Sequence, residues 1–129
     1  RRLPRTAMGG RIRRALEMAR AAPALASGID VVVAEVGTSA LAVESVPAAF
    51  AVVVLAGGDP WRACATAAAL GGDTDTIAAM AGAIAGACAG VGSLPYAALK
   101  VLRDVNQLGF ETLVDGLLAL RRGAAGGTA

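Results

Sequence analysis

From Thr76 to Leu99 the chain carries no charged side chain, and most of that run is alanine and glycine. No other feature limits the fold as strongly. An uncharged segment of that length belongs either in a bilayer or among other helices, and periodicity alone does not separate the two. Gly82, Gly86 and Gly90 recur every four residues, as small residues do where membrane helices touch. Against a bilayer, Ala and Gly are only weakly apolar and Pro95 interrupts the run. A central helix packed closely in a bundle explains the same pattern, with the glycine face admitting a neighbouring backbone. A membrane-associated helical protein stays as the competing reading. The chain is 56% hydrophobic but only 3% aromatic, so its core must be built from small side chains on close helices. The expected fold class is all-α, a compact multi-helix arrangement without regular sheet.

The run is entered through Gly71-Gly72-Asp73-Thr74-Asp75-Thr76. In a loop turning into a helix, this spacing aims the carboxylates of Asp73 and Asp75 and the hydroxyl of Thr76 at one point. Hard cations such as Mg²⁺ take oxygen ligands of this type. The plainer reading is a helix cap, since Asp and Thr suit helix N-termini. A cap needs only one such side chain, however, and two neighbouring carboxylates repel unless something positive lies between them.

The remaining elements follow from punctuation and periodicity. Ile12, Leu16 and Ala19 lie near helical spacing, which predicts an amphipathic helix over about 10–25 with Gly28 as its stop. Residues 29–36, IDVVVAEV, read as a strand by propensity alone. Ser45 as cap and Pro47 in the first turn open a helix that is apolar almost all round and therefore buried. Gly57-Gly58 ends it. Asp59 caps the next helix, Trp61 to Leu70. Glu44 reads as a solvated helix end, with a supporting role behind a metal ligand as the alternative. Ser93 and Pro95 start a helix to about Asp104, residues 106–109 form a turn, and Phe110 to Arg122 form the last helix. Phe110, Leu113, Leu117 and Leu120 share a face of it, Arg121 and Arg122 suit its C-terminal dipole, and a flexible tail follows.

Charge and residue usage exclude several function classes. The net charge of +2 is too small to imply a nucleic-acid partner. Arg1, Arg2, Arg5, Arg11, Arg13, Arg14 and Arg20 cluster near the start, but no aromatic residue is interleaved for base stacking, and a solvated helix face accounts for them. There is no histidine, so chemistry must run on carboxylates, hydroxyls or backbone groups. Cys64 and Cys88 are read as buried thiols rather than a disulfide or zinc site. No apolar leader is seen at the start, and a cytoplasmic location is expected.

The string GGDTDTIAAMAGAIAGA resembles the C-terminal signature of the ADP-ribosylglycohydrolases. The resemblance extends upstream through Val43-Glu44-Ser45-Val46-Pro47-Ala48-Ala49 and downstream to Ser93-Leu94-Pro95, covering about residues 37–95. It implies an all-α fold of that family, with a short helix at 29–36. It also implies a hydrolase that uses a pair of Mg²⁺ (or Mn²⁺) ions to cleave ADP-ribose from modified protein side chains or related conjugates. By position, Asp73, Asp75 and Thr76 become metal ligands. Gly37, Thr38, Ser39 and Ala40 become the loop along the ADP-ribose, with Ser39 standing where the family usually has a second glycine. The family's N-terminal half carries further acidic motifs, and neither occurs here. Residues 1–129 are therefore expected to be the C-terminal portion of one domain, inactive alone, with no nameable catalytic acid or base. A non-enzymatic ADP-ribose-binding or structural relative, as in lens crystallins of this family, is the alternative. No membrane partner is expected.

Overall fold

A computed structural model of the chain describes residues 5–107 and 109–125. It is all-α, with no strand among the described residues. The helices are α1 (Arg5–Ala21), α2 (Leu25–Val31), α3 (Ala42–Leu55), α4 (Pro60–Ala68), α5 (Thr74–Ala89), α6 (Tyr96–Asn106) and α7 (Phe110–Ala125). A π-helical turn, Val32–Val36, continues α2, and a short 3₁₀ turn, Val91–Ser93, follows α5. The chain divides into two units, residues 1–94 and 95–129.

In the first unit α3 is the central helix: α1 packs on it, and so do α4 and α5, which also pack on each other. Its buried residues Ala48, Ala49, Ala51 and Val52 point to several sides, as its all-round apolar pattern predicts. The core is mostly alanine, with Ile77, Val32 and Val52 among its largest fully buried side chains. Alanine at the contacts lets helices approach closely, so shape rather than bulk holds this unit together.

Local signals account for the helix ends. The Gly58 N–H donates to the Val53 carbonyl at 2.9 Å and the Gly57 N–H to Val54 at 3.0 Å. This pair of bonds is a Schellman motif, and it uses the positive φ of both glycines. Asp59 then caps α4 by accepting from the Arg62 N–H at 2.8 Å, and Pro60 fills the first helical position.

Several expectations need correction. The first helix covers Arg5–Ala21, and Gly28 does not stop it but lies buried inside α2. A Cβ there would collide with the Leu55 side chain, so close packing explains this glycine. The valine-rich segment, by contrast, is helical, as the family resemblance implies: tertiary packing of Val32 overrides strand propensity, and the Gly37 N–H closes a π turn onto the Val32 carbonyl at 3.0 Å. Ser45 is no cap. The helix begins at Ala42, three residues earlier, and Pro47 lies inside it. Pro47 has no N–H for the Val43 carbonyl, and Arg11 Nη1 donates to that carbonyl instead at 3.4 Å.

The glycine face of α5 is largely a misreading. Its buried stripe is Ile77, Ala81 and Ala85, at i, i+4 and i+8. Of Gly82, Gly86 and Gly90, only Gly82 faces a close neighbour, the Cys64 sulfur of α4. Gly90 instead ends the helix at φ 80°. No helix among the described residues is long and apolar enough to cross a membrane. Both cysteines are free thiols, but Cys88 is exposed rather than buried. Burial pushes the partly buried Cys64 thiol above its ordinary pKa. Arg11, Arg13, Arg14 and Arg20 are exposed, as a solvated face requires. Arg1 and Arg2 lie outside the described residues.

In the second unit α6 runs to Asn106, two residues beyond expectation, and Gln107 closes it in a left-handed conformation at φ 51°. Part of the expected turn, residue 108, lies outside the described residues. The last helix runs on to Ala125 rather than ending at Arg122, so the expected tail begins as helix, and residues 126–129 lie outside the described set. Its apolar face, with Phe110, Leu113, Leu117 and Leu120, is exposed.

A candidate active site where two glycine loops meet

The segment 71–76 folds as the sequence suggests, with one difference that matters. Gly71 and Gly72 take φ of 79° and 74°, a left-handed turn that glycine adopts without strain. Asp73 then sits at the N-cap position of α5, and its carbonyl accepts the first helical bond, from the Ile77 N–H, at 3.1 Å. Its side chain does not cap the helix. Asp73 Oδ1 instead accepts from the Thr76 hydroxyl at 3.0 Å. The structure thus joins two of the three predicted oxygen donors directly. Asp75 stands in the first turn of α5 with its carboxylate exposed.

The second loop, Gly37 to Ala40, lies against the first. The Asp73 N–H donates to the Thr38 carbonyl at 2.7 Å. Gly72 approaches Thr38 so closely that a Cβ on it would overlap the Thr38 carbonyl oxygen and hydroxyl. Two segments separated by more than thirty positions in the chain are thereby brought into one place.

Glu44 organises this second loop. It occupies the third position of α3, where a glutamate commonly reaches back to a free backbone N–H before the helix. Here its Oε2 accepts from the Ser39 N–H at 3.1 Å and from the Ser39 hydroxyl at 2.6 Å. The Ser39 oxygen in turn accepts from the Leu41 N–H at 3.3 Å, at the helix N-cap. The Ser39 hydroxyl and backbone bonds hold the Glu44 carboxyl below its ordinary pKa, assisted by the Arg11 charge. Gly37, at φ 88°, leaves room for it, since a Cβ there would stand 2.6 Å from Glu44 Oε2. Reading Glu44 as a solvated helix end therefore misses its role. The signal was present in the sequence: a glutamate near the start of a helix, preceded by a serine in the entry loop.

The donors fit a hard divalent cation in kind, being carboxylate and hydroxyl oxygens. They fall short of a complete ligand set. Among the described residues no group of three or more His, Cys, Asp or Glu is placed to hold an ion. A separate cleft of about 380 Å³ between α1, the π turn and α3 is lined by Arg11, Arg14, Glu35 and Pro47, among others. None of residues 37–40 or 73–76 lines it, and we do not place the chemistry there.

Comparison with known proteins bears on the same segments. The sequence profile of the ADP-ribosylglycohydrolase family matches residues 2–126. The chain is 41% identical over 115 residues to the uncharacterized protein YegU of Escherichia coli (strain K12), covering 89% of this chain and 34% of that protein. It is 44% identical over 77 residues to the ADP-ribosylhydrolase ARH3 of Danio rerio, covering 52% of this chain and 21% of that protein. The chain thus spans about a third of the first relative's length and about a fifth of the second's. No solved structure matches it significantly.

Proposed function

The chain belongs to the ADP-ribosylglycohydrolase family, and from that premise we propose that it supplies the C-terminal part of a metal-dependent hydrolase domain. That domain would release ADP-ribose from modified protein side chains or related ADP-ribosyl conjugates. The observation that carries this reading is the bond from the Asp73 N–H to the Thr38 carbonyl. It sets the proposed metal-ligand segment beside the proposed substrate loop.

In this reading Asp73, Asp75 and Thr76 hold Mg²⁺ or Mn²⁺, with two ions in the complete site. When bound, such ions orient substrate hydroxyls and water and spread developing charge. This chain's own contribution is positional. The left-handed turn at Gly71-Gly72 leads the chain into the start of α5, and the Thr76 hydroxyl orients the Asp73 carboxylate. The loop of Gly37, Thr38, Ser39 and Ala40 would lie along the ADP-ribose. The remaining ligands and the catalytic acid or base are assigned to the part of the domain that its longer relatives possess.

The test uses the complete protein that carries this chain. ADP-ribosylated protein is the substrate, and release of free ADP-ribose is followed with Mg²⁺, with Mn²⁺, and after chelation. The expected result is release with either ion and its loss on chelation, restored by adding the ion back. Release that is indifferent to chelation would remove the metal from the proposal, and absence of release under every condition would favour a binding or structural role.

A further inference from the structure

We propose that Glu44 is a positioning residue for this site, acting on Asp73 through the Thr38–Ser39 peptide, and that Ser39 serves this latch rather than the substrate. The inference rests on the reading of residues 37–40 and 73–76 as one site, but its evidence is separate. The Ser39 N–H donates to Glu44 Oε2 at 3.1 Å, and the Thr38 carbonyl accepts from the Asp73 N–H at 2.7 Å. These two groups belong to one peptide unit. A peptide unit is planar, and in the trans form its N–H and C=O point in opposite directions. No cis peptide occurs among the described residues. One end of the plane is therefore held by Glu44 on α3, and the other end holds Asp73 at the start of α5.

Rotation of that plane would break both bonds together. Glu44 resists it with a second bond, from the Ser39 hydroxyl at 2.6 Å. Hydrogen bonds to a carboxylate are stronger than those between neutral groups. The neighbouring glycines keep the latch closed by leaving space. A Cβ on Gly37 would strike the Glu44 carboxylate, and one on Gly72 would strike Thr38. Ser39 has its N–H and its hydroxyl proton committed to Glu44, and its oxygen also accepts from Leu41. It has no donor left for a ligand. The serine is accommodated in this loop with its hydroxyl turned back onto Glu44 at the surface.

The experiment is amide hydrogen exchange by NMR on the full chain, comparing wild type with Glu44→Gln, Glu44→Ala and Ser39→Ala. The reporter is the Asp73 amide, which none of these substitutions touches. The Ala63 amide, bonded to the Asp59 carbonyl at 2.9 Å, is the control for global stability. The expected result is Asp73 exchange about tenfold faster or more in Glu44→Ala, with a smaller increase in Glu44→Gln, which keeps an acceptor oxygen. Ser39→Ala, which keeps its backbone bond, should also give a smaller increase and tests the latch if Glu44→Ala fails to fold. Ala63 should not change in the folded variants. Unchanged Asp73 exchange in the folded variants, Ser39→Ala included, would overturn the latch, as would a uniform increase at Asp73 and Ala63. Titrating the complete protein that carries this chain with Mn²⁺ separates the two proposals. Absence of line broadening at residues 73–76 counts against the metal reading, while the exchange rates still decide the latch.

Discussion

Thr38 and Asp73 are joined by a backbone hydrogen bond of 2.7 Å, from the Asp73 N–H to the Thr38 carbonyl. That bond couples the loop before α3 to the start of α5. Both segments carry the residues proposed for ligand binding, so their registration is a condition of the site.

Gly72→Ala should pry the two loops apart. Gly72 has φ of 74°, and a Cβ there would overlap Thr38. The left-handed backbone alone costs an L-residue about 1–2 kcal/mol, and the collision with a backbone carbonyl adds to it. Urea unfolding should show a loss of at least about 1 kcal/mol. An unchanged midpoint would mean that the loops are not in contact.

The stability of the Ser39–Glu44 pair should depend on pH in one direction. The Glu44 carboxyl is held below its ordinary value of 4.5 in the folded chain, chiefly by the Ser39 bonds. The folded state therefore favours the ionised form, and the unfolded state binds the proton more readily. The stabilisation is fully present above about the ordinary glutamate value and is lost as pH falls through the lowered folded value. The difference in unfolding midpoint between wild type and Glu44→Gln should be level at neutral pH and shrink on acidification. A difference that grows in acid would contradict the assigned bonds.

The packing of α4 on α5 should show a specific rescue. A Cβ on Gly82 would lie 2.5 Å from the Cys64 sulfur. Gly82→Ala should gain the usual helix preference of alanine over glycine, about 1 kcal/mol, but lose more to this collision. Combining it with Cys64→Ala removes the sulfur and should recover stability relative to Gly82→Ala alone. Additive losses in the double variant would show that the two residues do not touch.

Much of this architecture was legible in the sequence. The Gly57-Gly58 stop, the Asp59 cap and the buried central helix follow from short-range chemistry, which a sequence displays directly. The start of α3 was not legible, because Ser45-x-Pro47 mimics a helix entry while Pro47 is tolerated inside the helix, where Arg11 serves the carbonyl it leaves free. The face of α5 was misread for a related reason. A run in which alanine and glycine are everywhere has weak periodicity, and only packing shows that Ile77, Ala81 and Ala85 face inward. Within the candidate site, the acidic cluster was visible as composition. The contact between Thr38 and Asp73 was not, since a backbone bond between distant loops leaves no mark on residue type.

The most direct test of the account is the effect of Asp75→Asn on ADP-ribose release by the complete protein at saturating Mg²⁺, measured beside a melting curve. The swap keeps size and one acceptor oxygen but removes the charge that draws a divalent ion. As a first-turn acid alone, Asp75 would contribute only about 0.3–1 kcal/mol through the helix dipole. As a metal ligand it matters to hydrolysis far more than to folding. The account predicts that hydrolysis collapses while the metal-free melting temperature stays level or rises, since one of two neighbouring carboxylates has lost its charge. Full activity in a folded Asp75→Asn protein would contradict it.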